Sequence, residues 1–368
     1  MNINSFIDKY GNYSFDDMEF TEVDNVIFSV LVYINFNDIF NICNKRVITI
    51  EEASDVVIDN YSKYRKDVYA VRQALKLLRN LKGTTRYKDI RLYNYRYEVS
   101  SEEQFGAITI EINKRLVYVS FEGTDQTISG WKENFMFSYM FPTVSQKKAI
   151  NYVNKHFWYK NVKIILGGHS KGGNLALVAG MNANFLVRNK IIKIYSNDGP
   201  GLLEEQINSN RYKLIKDKLI HIVPNYSIVG MLLYNDDNYR VIKSMKKNVY
   251  AHDFMTWVVE DKEFLNSELS FFSTTFKNRI LDWVNKYNYE EREKFVVSLF
   301  DIFGRTNIKS LLDIKENKLM LLDFLKNFAS VDKVTKNMIK EFIFIVLDVY
   351  REVSIKDIKT IFKLNKGN

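Results

Sequence analysis

The sequence predicts an α/β protein: a mostly parallel sheet with flanking helices, carrying helical N- and C-terminal extensions. Three observations predict it. From Gly123 onward, β-branched apolar runs alternate with helix-like runs, the order that builds βαβ units and a parallel sheet. All three prolines (Pro142, Pro200, Pro224) and eight of the fifteen glycines (Gly167 to Gly230) fall in the middle of the chain, and only Gly304 and Gly367 follow Gly230. The third observation is the stretch "KIILGGHSKGGNLALVAG", Lys163 to Gly180, where an apolar run meets a knot of glycines around one serine and then an alanine- and leucine-rich run.

Taken in order, residues 1–100 read mainly as helices, among them "VDNVIFSVLVYIN" and "DVYAVRQALKLLRNLKG", the second closing at Gly83 as a helix C-cap would. The runs "FGAITIEI" and "RLVYVSFEG" flank "NK" and read as a hairpin. There follow "SQKKAINYVNKHFW" as helix, "VKIILGG" as strand, "GNLALVAGMNANFL" as helix, and "IIKIYSND", "LIHIVP" and "RVIKS" as strands. The last hundred residues return to helical spacing, and Leu269, Phe272, Phe276, Ile280 and Trp283 form a core stripe rather than a ligand site. The expected organisation is a helical region over 1–100 packing on the core, the core over 101–265, and a helical extension over 266–368.

With 368 residues, 46% of them hydrophobic and 26% charged, the composition is that of a soluble globular protein. The first twenty residues lack a basic segment followed by an apolar one, which argues against a secretory signal. The longest apolar runs, "NVIFSVLVYINF" and "FIFIVLDVY", fall short of the roughly 20 residues a membrane span needs. A lone cysteine, Cys43, can form no internal disulfide and reads as a small buried apolar residue. Together these predict a cytoplasmic protein. The net charge of +9 is spread along the chain among acidic residues, and no helix-turn-helix, zinc-finger or RNP-type signature accompanies it, so no nucleic-acid partner is expected.

Gly168, Ser170 and Gly172 form G-x-S-x-G directly after a strand and directly before a helix. A nucleophile elbow needs that context: a sharp turn strains the serine backbone and lifts its Oγ above the sheet edge, and small neighbours prevent collision. The helix N-terminus there also favours developing negative charge. A phosphate-cradling loop would need G-x-x-x-x-G-K-[ST], which this stretch lacks. A bare glycine-rich turn without chemistry remains the other reading.

A serine nucleophile needs a base, and the chain has four histidines. His169 lies inside the elbow and reads as a packing residue; His156 on an amphipathic helix and His221 within an apolar strand read as structural. His252, in the polar segment "NVYAHDFMTW" after the last strands, is the candidate base, in the chain order serine, acid, histidine. Asp198 in "YSNDGPG" ends a strand at the edge where ligands bind, and either orients the histidine or merely caps its own turn. Asp253 adjoins His252 and would diverge from it, and Asp236 and Asp237 sit in a loop. The backbone N–H of Lys171 and one from the strand end Gly123, Thr124, Asp125 are the oxyanion-hole candidates.

"FEGTD" and "GHSKGGNLA" resemble the "F-R-G-T/S" and "G-H-S-L-G-G-A-L-A" motifs of class 3 (fungal-type) lipases, which have the α/β-hydrolase fold. With "YSNDGPG", "PNYSIVGMLL" and "HDFMTW", the chain is still more similar to a group of bacterial α/β-hydrolase-like proteins catalogued as a domain of unknown function allied to those lipases. The resemblance implies Ser170 as nucleophile, His252 as base, an oxyanion hole at Thr124 and Lys171, and a mobile lid where residues 127–141 carry Trp131; an ordinary packed helix is the alternative. Two departures stand out. Ser227 occupies the position of the lipases' triad aspartate, so either Asp198 has taken over from a neighbouring strand or the triad is incomplete. Lys171 replaces a leucine, and its charge near the mouth would favour an anionic or polar substrate group.

The expectation is a serine hydrolase of α/β-hydrolase fold cleaving a carboxylic ester, a small-molecule or lipid acyl ester, through Ser170, His252 and Asp198, with apolar "SIVGMLL" along the acyl pocket. This chemistry calls for no metal or cofactor. A transient contact with a membrane surface is a further expectation. The alternative is a catalytically silent hydrolase fold used as a binding or scaffold module.

Overall fold

The computed structural model describes residues 1–64, 68–100, 103–124, 128–305, 328 and 331–345. The N-terminal region contributes helices α1 (Ile3–Tyr10), α2 (Glu22–Leu31), α3 (Phe36–Cys43), α4 (Ile50–Asp59) and α5 (Tyr69–Leu81). Thr21 and Thr49 begin α2 and α4 with reciprocal capping boxes closed by Asp24 and Glu52. Every residue of α2 is buried. Its apolar residues Val23, Val26, Ile27, Val30 and Leu31 join the core, its polar ones are bonded inside, Asp24 to Arg86 (2.6 Å) and Asn25 to Asn197 (2.8 Å), and α2 packs against the central strands.

Eight strands form one sheet in sequence order: β1 (Val47–Thr49), β2 (Arg91–Val99), β3 (Gln104–Asn113), β4 (Leu116–Phe121), β5 (Lys163–His169), β6 (Ile191–Asn197), β7 (Leu219–Pro224) and β8 (Tyr239–Ile242). From β1 to β4 neighbours are antiparallel, and from β4 to β8 they are parallel. The sheet therefore reaches into the stretch expected to be mainly helical. β2, "RLYNYRYEV", is a strand because it pairs with β3, and Asn94 at φ 57 marks the register shift between Tyr93 and Arg96.

Helices α6 (Ile128–Met136) and α7 (Val144–Phe157) connect β4 to β5, and α8 (Lys171–Asn182) and α9 (Phe185–Arg188) connect β5 to β6. The single helix expected over "GNLALVAGMNANFL" breaks because Ala183 is extended (φ −56, ψ 146) and Asn184 caps a new turn. Two apolar clusters cover the sheet, one built on the N-terminal helices and one on α7 and α8. A third gathers Phe272, Phe276, Ile280 and Trp283 of the helix Phe271–Lys286 with the helix Tyr289–Arg305. Met231 and Leu233 of the expected acyl-pocket segment are buried in that third cluster.

Candidate active site

Ser170 follows β5 with φ 58 and ψ −131, a backbone conformation that L-residues other than glycine adopt only under constraint. The constraint is visible in its neighbours. A Cβ on Gly168 would stand 2.3 Å from the Gly172 backbone, and one on Gly172 would stand 2.1 Å from the Phe121 carbonyl. Both glycines of the motif are thus required by close backbone approach. The Ser170 N–H donates to Asn197 O (2.9 Å), tying the elbow to the end of β6, and α8 starts immediately after it with Lys171 to Met181 all buried. Ser170 itself keeps 7% exposure.

Asp198 is the next residue beyond β6, at φ 49, and is fully buried. Its Oδ2 accepts the His252 Nδ1–H at 2.6 Å, while Oδ1 accepts from the Ser227 hydroxyl (2.5 Å) and the Gly230 N–H (3.1 Å). Burial pushes this carboxyl up, but the bond and charge of His252, with the Ser227 bond, outweigh it and hold Asp198 below the usual carboxylate range. Because a carboxylate can only accept, His252 carries a proton on Nδ1, and in the neutral ring the lone pair is the one on Nε2. The His252 side chain is 26% exposed.

The segment carrying His252 is held from several sides. His169 Nε2–H donates to the His252 carbonyl (2.9 Å), the two rings lie 4.4 Å apart, and Tyr33 OH bonds His169 Nδ1 (3.3 Å). Burial first, then the neighbouring His252, lowers the His169 pKa to about 3, so it stays neutral. Trp257 Nε1 donates to Ala251 O (2.9 Å), and Tyr69 of α5 donates to Asp253 Oδ2 (2.5 Å). His169 is therefore more than the packing residue expected. It also binds the loop that presents His252.

Thr124 follows β4 next to the elbow: a Cβ on the preceding Gly123 would meet Tyr33 OH at 2.1 Å and the His169 carbonyl at 2.6 Å. Asp125 and residue 127 lie outside the described residues. Lys171 corrects an expectation. Its ammonium is fully buried and donates to Gln104 O (2.5 Å) and Glu133 Oε2 (3.1 Å), so its charge lies away from the mouth. Glu133 on α6 also accepts from Thr143 Oγ1, Ser145 N and Ser145 Oγ at 2.8–3.1 Å. The adjacent Asn134 donates to Thr124 Oγ1 (3.0 Å). Two consecutive residues of α6 thus grip both residues expected at the oxyanion hole. On its other side Phe135 packs on Phe295, Phe300 and Phe342, which fastens the lid candidate to the C-terminal helices, although Trp131 remains exposed.

The other histidines stand elsewhere. His156 is half-buried against Tyr152 with its pKa lowered to about 4, chiefly by burial, and His221 donates to Gly199 O (3.1 Å). Sequence reasoning missed the service of Ser227, Glu133 and Tyr69. For Ser227 a signal existed in the sequence, since the resemblance sets it at an acid's position; for the other two, only long-range packing identifies the partner.

A parallel sheet with a strained serine between β5 and α8, and with an aspartate–histidine pair at the same edge, defines the α/β-hydrolase fold. Within that class the chain belongs to the Mbeg1-like family, whose sequence profile matches residues 81–301, more than half of the chain. No curated protein matches it. Similar solved structures include an M37 lipase (15% identity, 56% of this chain and 68% of the other, TM-score 0.34). They also include a lipase from Rhizopus microsporus var. chinensis (16%, 62% and 83%, 0.33) and a Rhizomucor miehei lipase propeptide complex (12%, 61% and 69%, 0.34). Likeness at this level carries nothing about activity.

Proposed function

We propose that the protein is a serine hydrolase that cleaves a carboxylic ester of acyl or lipid type. The observation that carries the reading is the Asp198–His252 hydrogen bond at the sheet edge where Ser170 is held in its strained turn. Ser170 Oγ attacks the ester carbonyl while His252 Nε2 takes its proton. The oxyanion that forms is met by the Thr124 and Lys171 N–H groups. Collapse expels the alcohol, protonated by His252, and leaves an acyl-serine; water, deprotonated by the same imidazole, then releases the acid. The silent-scaffold reading drew on Ser227 standing in place of an aspartate. Here Ser227 donates to Asp198, a carboxylate supplied one strand earlier, which favours the enzyme.

Hydrolysis of short-chain p-nitrophenyl esters tests the proposal. Turnover that disappears in both Ser170→Ala and His252→Ala supports it, and turnover that survives Ser170→Ala refutes it.

A further inference from the structure

The parallel strands have a second end. Where β4, β5 and β6 begin, three connections lie side by side: the 113–116 turn, the 158–163 segment and the 183–190 segment. The ladder fixes their adjacency. Leu116 pairs with Lys163 and Ile164 with Ile191, and backbone bonds join Lys163 N to Arg115 O (2.7 Å) and Ile164 N to Lys190 O (2.9 Å). Lys190 Nζ closes the end of α7 by donating to Trp158 O (3.1 Å) and Lys160 O (2.6 Å).

Two features coincide on this surface. Trp158, Tyr159, Phe185 and Leu186 are each more than half exposed, and Ile192 is exposed beside them. Between Glu133 and Asp198 the sequence contains no acidic residue but nine lysines and arginines. Lys155, Lys160, Lys163, Arg188, Lys190 and Lys193 fall at this end, with Lys114 and Arg115 on the neighbouring turn. Acids also approach it: Glu111, which is paired with Arg91 (2.7 Å), Asp217, set between Lys216 and Lys218, and Glu22, whose carboxylate feels the Lys193 charge.

We infer that this end of the molecule docks on a lipid bilayer with anionic headgroups. Tryptophan and tyrosine place an apolar body and a polar tip at the depth of the headgroups, and lysines around them gain from the negative surface potential. Nucleic acid would reward the cations but leave Phe185, Leu186 and Ile192 without a partner, whereas a bilayer takes up both. Among the described residues no single helix is long and apolar enough to cross a membrane, and the contact inferred here is a peripheral one made by exposed side chains. Ser170 lies beyond the far end of β5, a strand of seven residues, about 20 Å from this surface. Docking therefore turns the catalytic edge toward water.

The test uses the full chain carrying Ser170→Ala, so that no turnover alters the lipid and the outcome does not depend on the hydrolase reading. Co-sedimentation is measured with phosphatidylcholine vesicles made with and without phosphatidylglycerol. The expected result is binding that requires phosphatidylglycerol and falls by about tenfold or more in Trp158→Ser/Phe185→Ser and in Lys160→Glu/Lys163→Glu. It should be unchanged in Trp131→Ser at the other end, with all variants melting like the parent. Equal binding by every variant, or loss confined to Trp131→Ser, overturns the inference. Binding to a DNA or RNA oligonucleotide but to neither vesicle overturns it in favour of nucleic acid.

Discussion

At the carboxyl ends of β4, β5 and β6 the ions Asp198, Lys171 and Glu133 are buried and bonded, whereas at the amino ends of the same strands the charged groups are largely cationic and reach solvent in whole or in part. The carboxyl end holds Asp198 among three donors, Lys171 against Glu133, and two residues at positive φ, Ser170 and Asp198. Such strained residues cost on the order of 1–3 kcal/mol each and persist only where surrounding packing over-determines them. The amino end carries solvated lysines around exposed aromatic rings, a surface that costs folding little and gains only from a partner. The fold concentrates its constraints on the edge that carries Ser170, Asp198 and His252, and not on the edge proposed to adhere.

Substitutions should break the two ends unequally. The largest effect is expected at Asp198→Asn, which leaves an amide able to occupy φ 49 but no longer fixes the His252 proton on Nδ1; kcat on a p-nitrophenyl ester should fall by about 10³–10⁴ with the fold retained by circular dichroism. Next, Lys171→Met strands the buried Glu133 carboxylate and should lower stability by about 3–5 kcal/mol in urea unfolding, whereas Lys171→Met/Glu133→Gln should recover most of that loss. Ser227→Ala removes one of three donors to Asp198, and a kcat loss of roughly tenfold is expected, with KM little changed.

A smaller effect concerns pH. Burial holds the His169 pKa at about 3 in the fold, while in the unfolded chain the ring protonates near its ordinary value of 6.5. Below 6.5 the unfolded state therefore binds more protons, and stability falls as pH drops toward 3, by about 1.4 kcal/mol per pH unit for this one residue. The depressed Asp198 carboxyl acts in the same direction, its contribution being lost as pH falls through its folded value. Unfolding at pH 7 and pH 5 should thus differ less in His169→Asn than in the parent. At the amino end, Lys155→Glu/Lys163→Glu, both at exposed positions, should leave stability within about 0.5 kcal/mol.

Much of this arrangement is legible in the sequence where the signal is local. The strand, glycine knot and helix around Ser170 announce the elbow because backbone crowding permits only small residues there, and the hairpin of β3 and β4 shows in its β-branched runs. β2 is less legible, since an Asn- and Arg-bearing run of tyrosines becomes a strand only by pairing with β3. Asp198 could be singled out by its place at a strand end, but whether it served His252 or its own turn depended on a loop arriving 54 residues later. The Lys171 side chain misled for a similar reason. Its partner Glu133 lies 38 residues earlier on a helix whose spacing gives no sign of a buried carboxylate.

In the mechanism proposed, Ser170 is a nucleophile activated by His252. The most direct measurement is covalent capture by a fluorophosphonate probe under native conditions, read by intact mass. One adduct per chain, on Ser170 and lost in His252→Ala, is the predicted result. An unlabelled native protein, or labelling undiminished in Ser170→Ala, would contradict it.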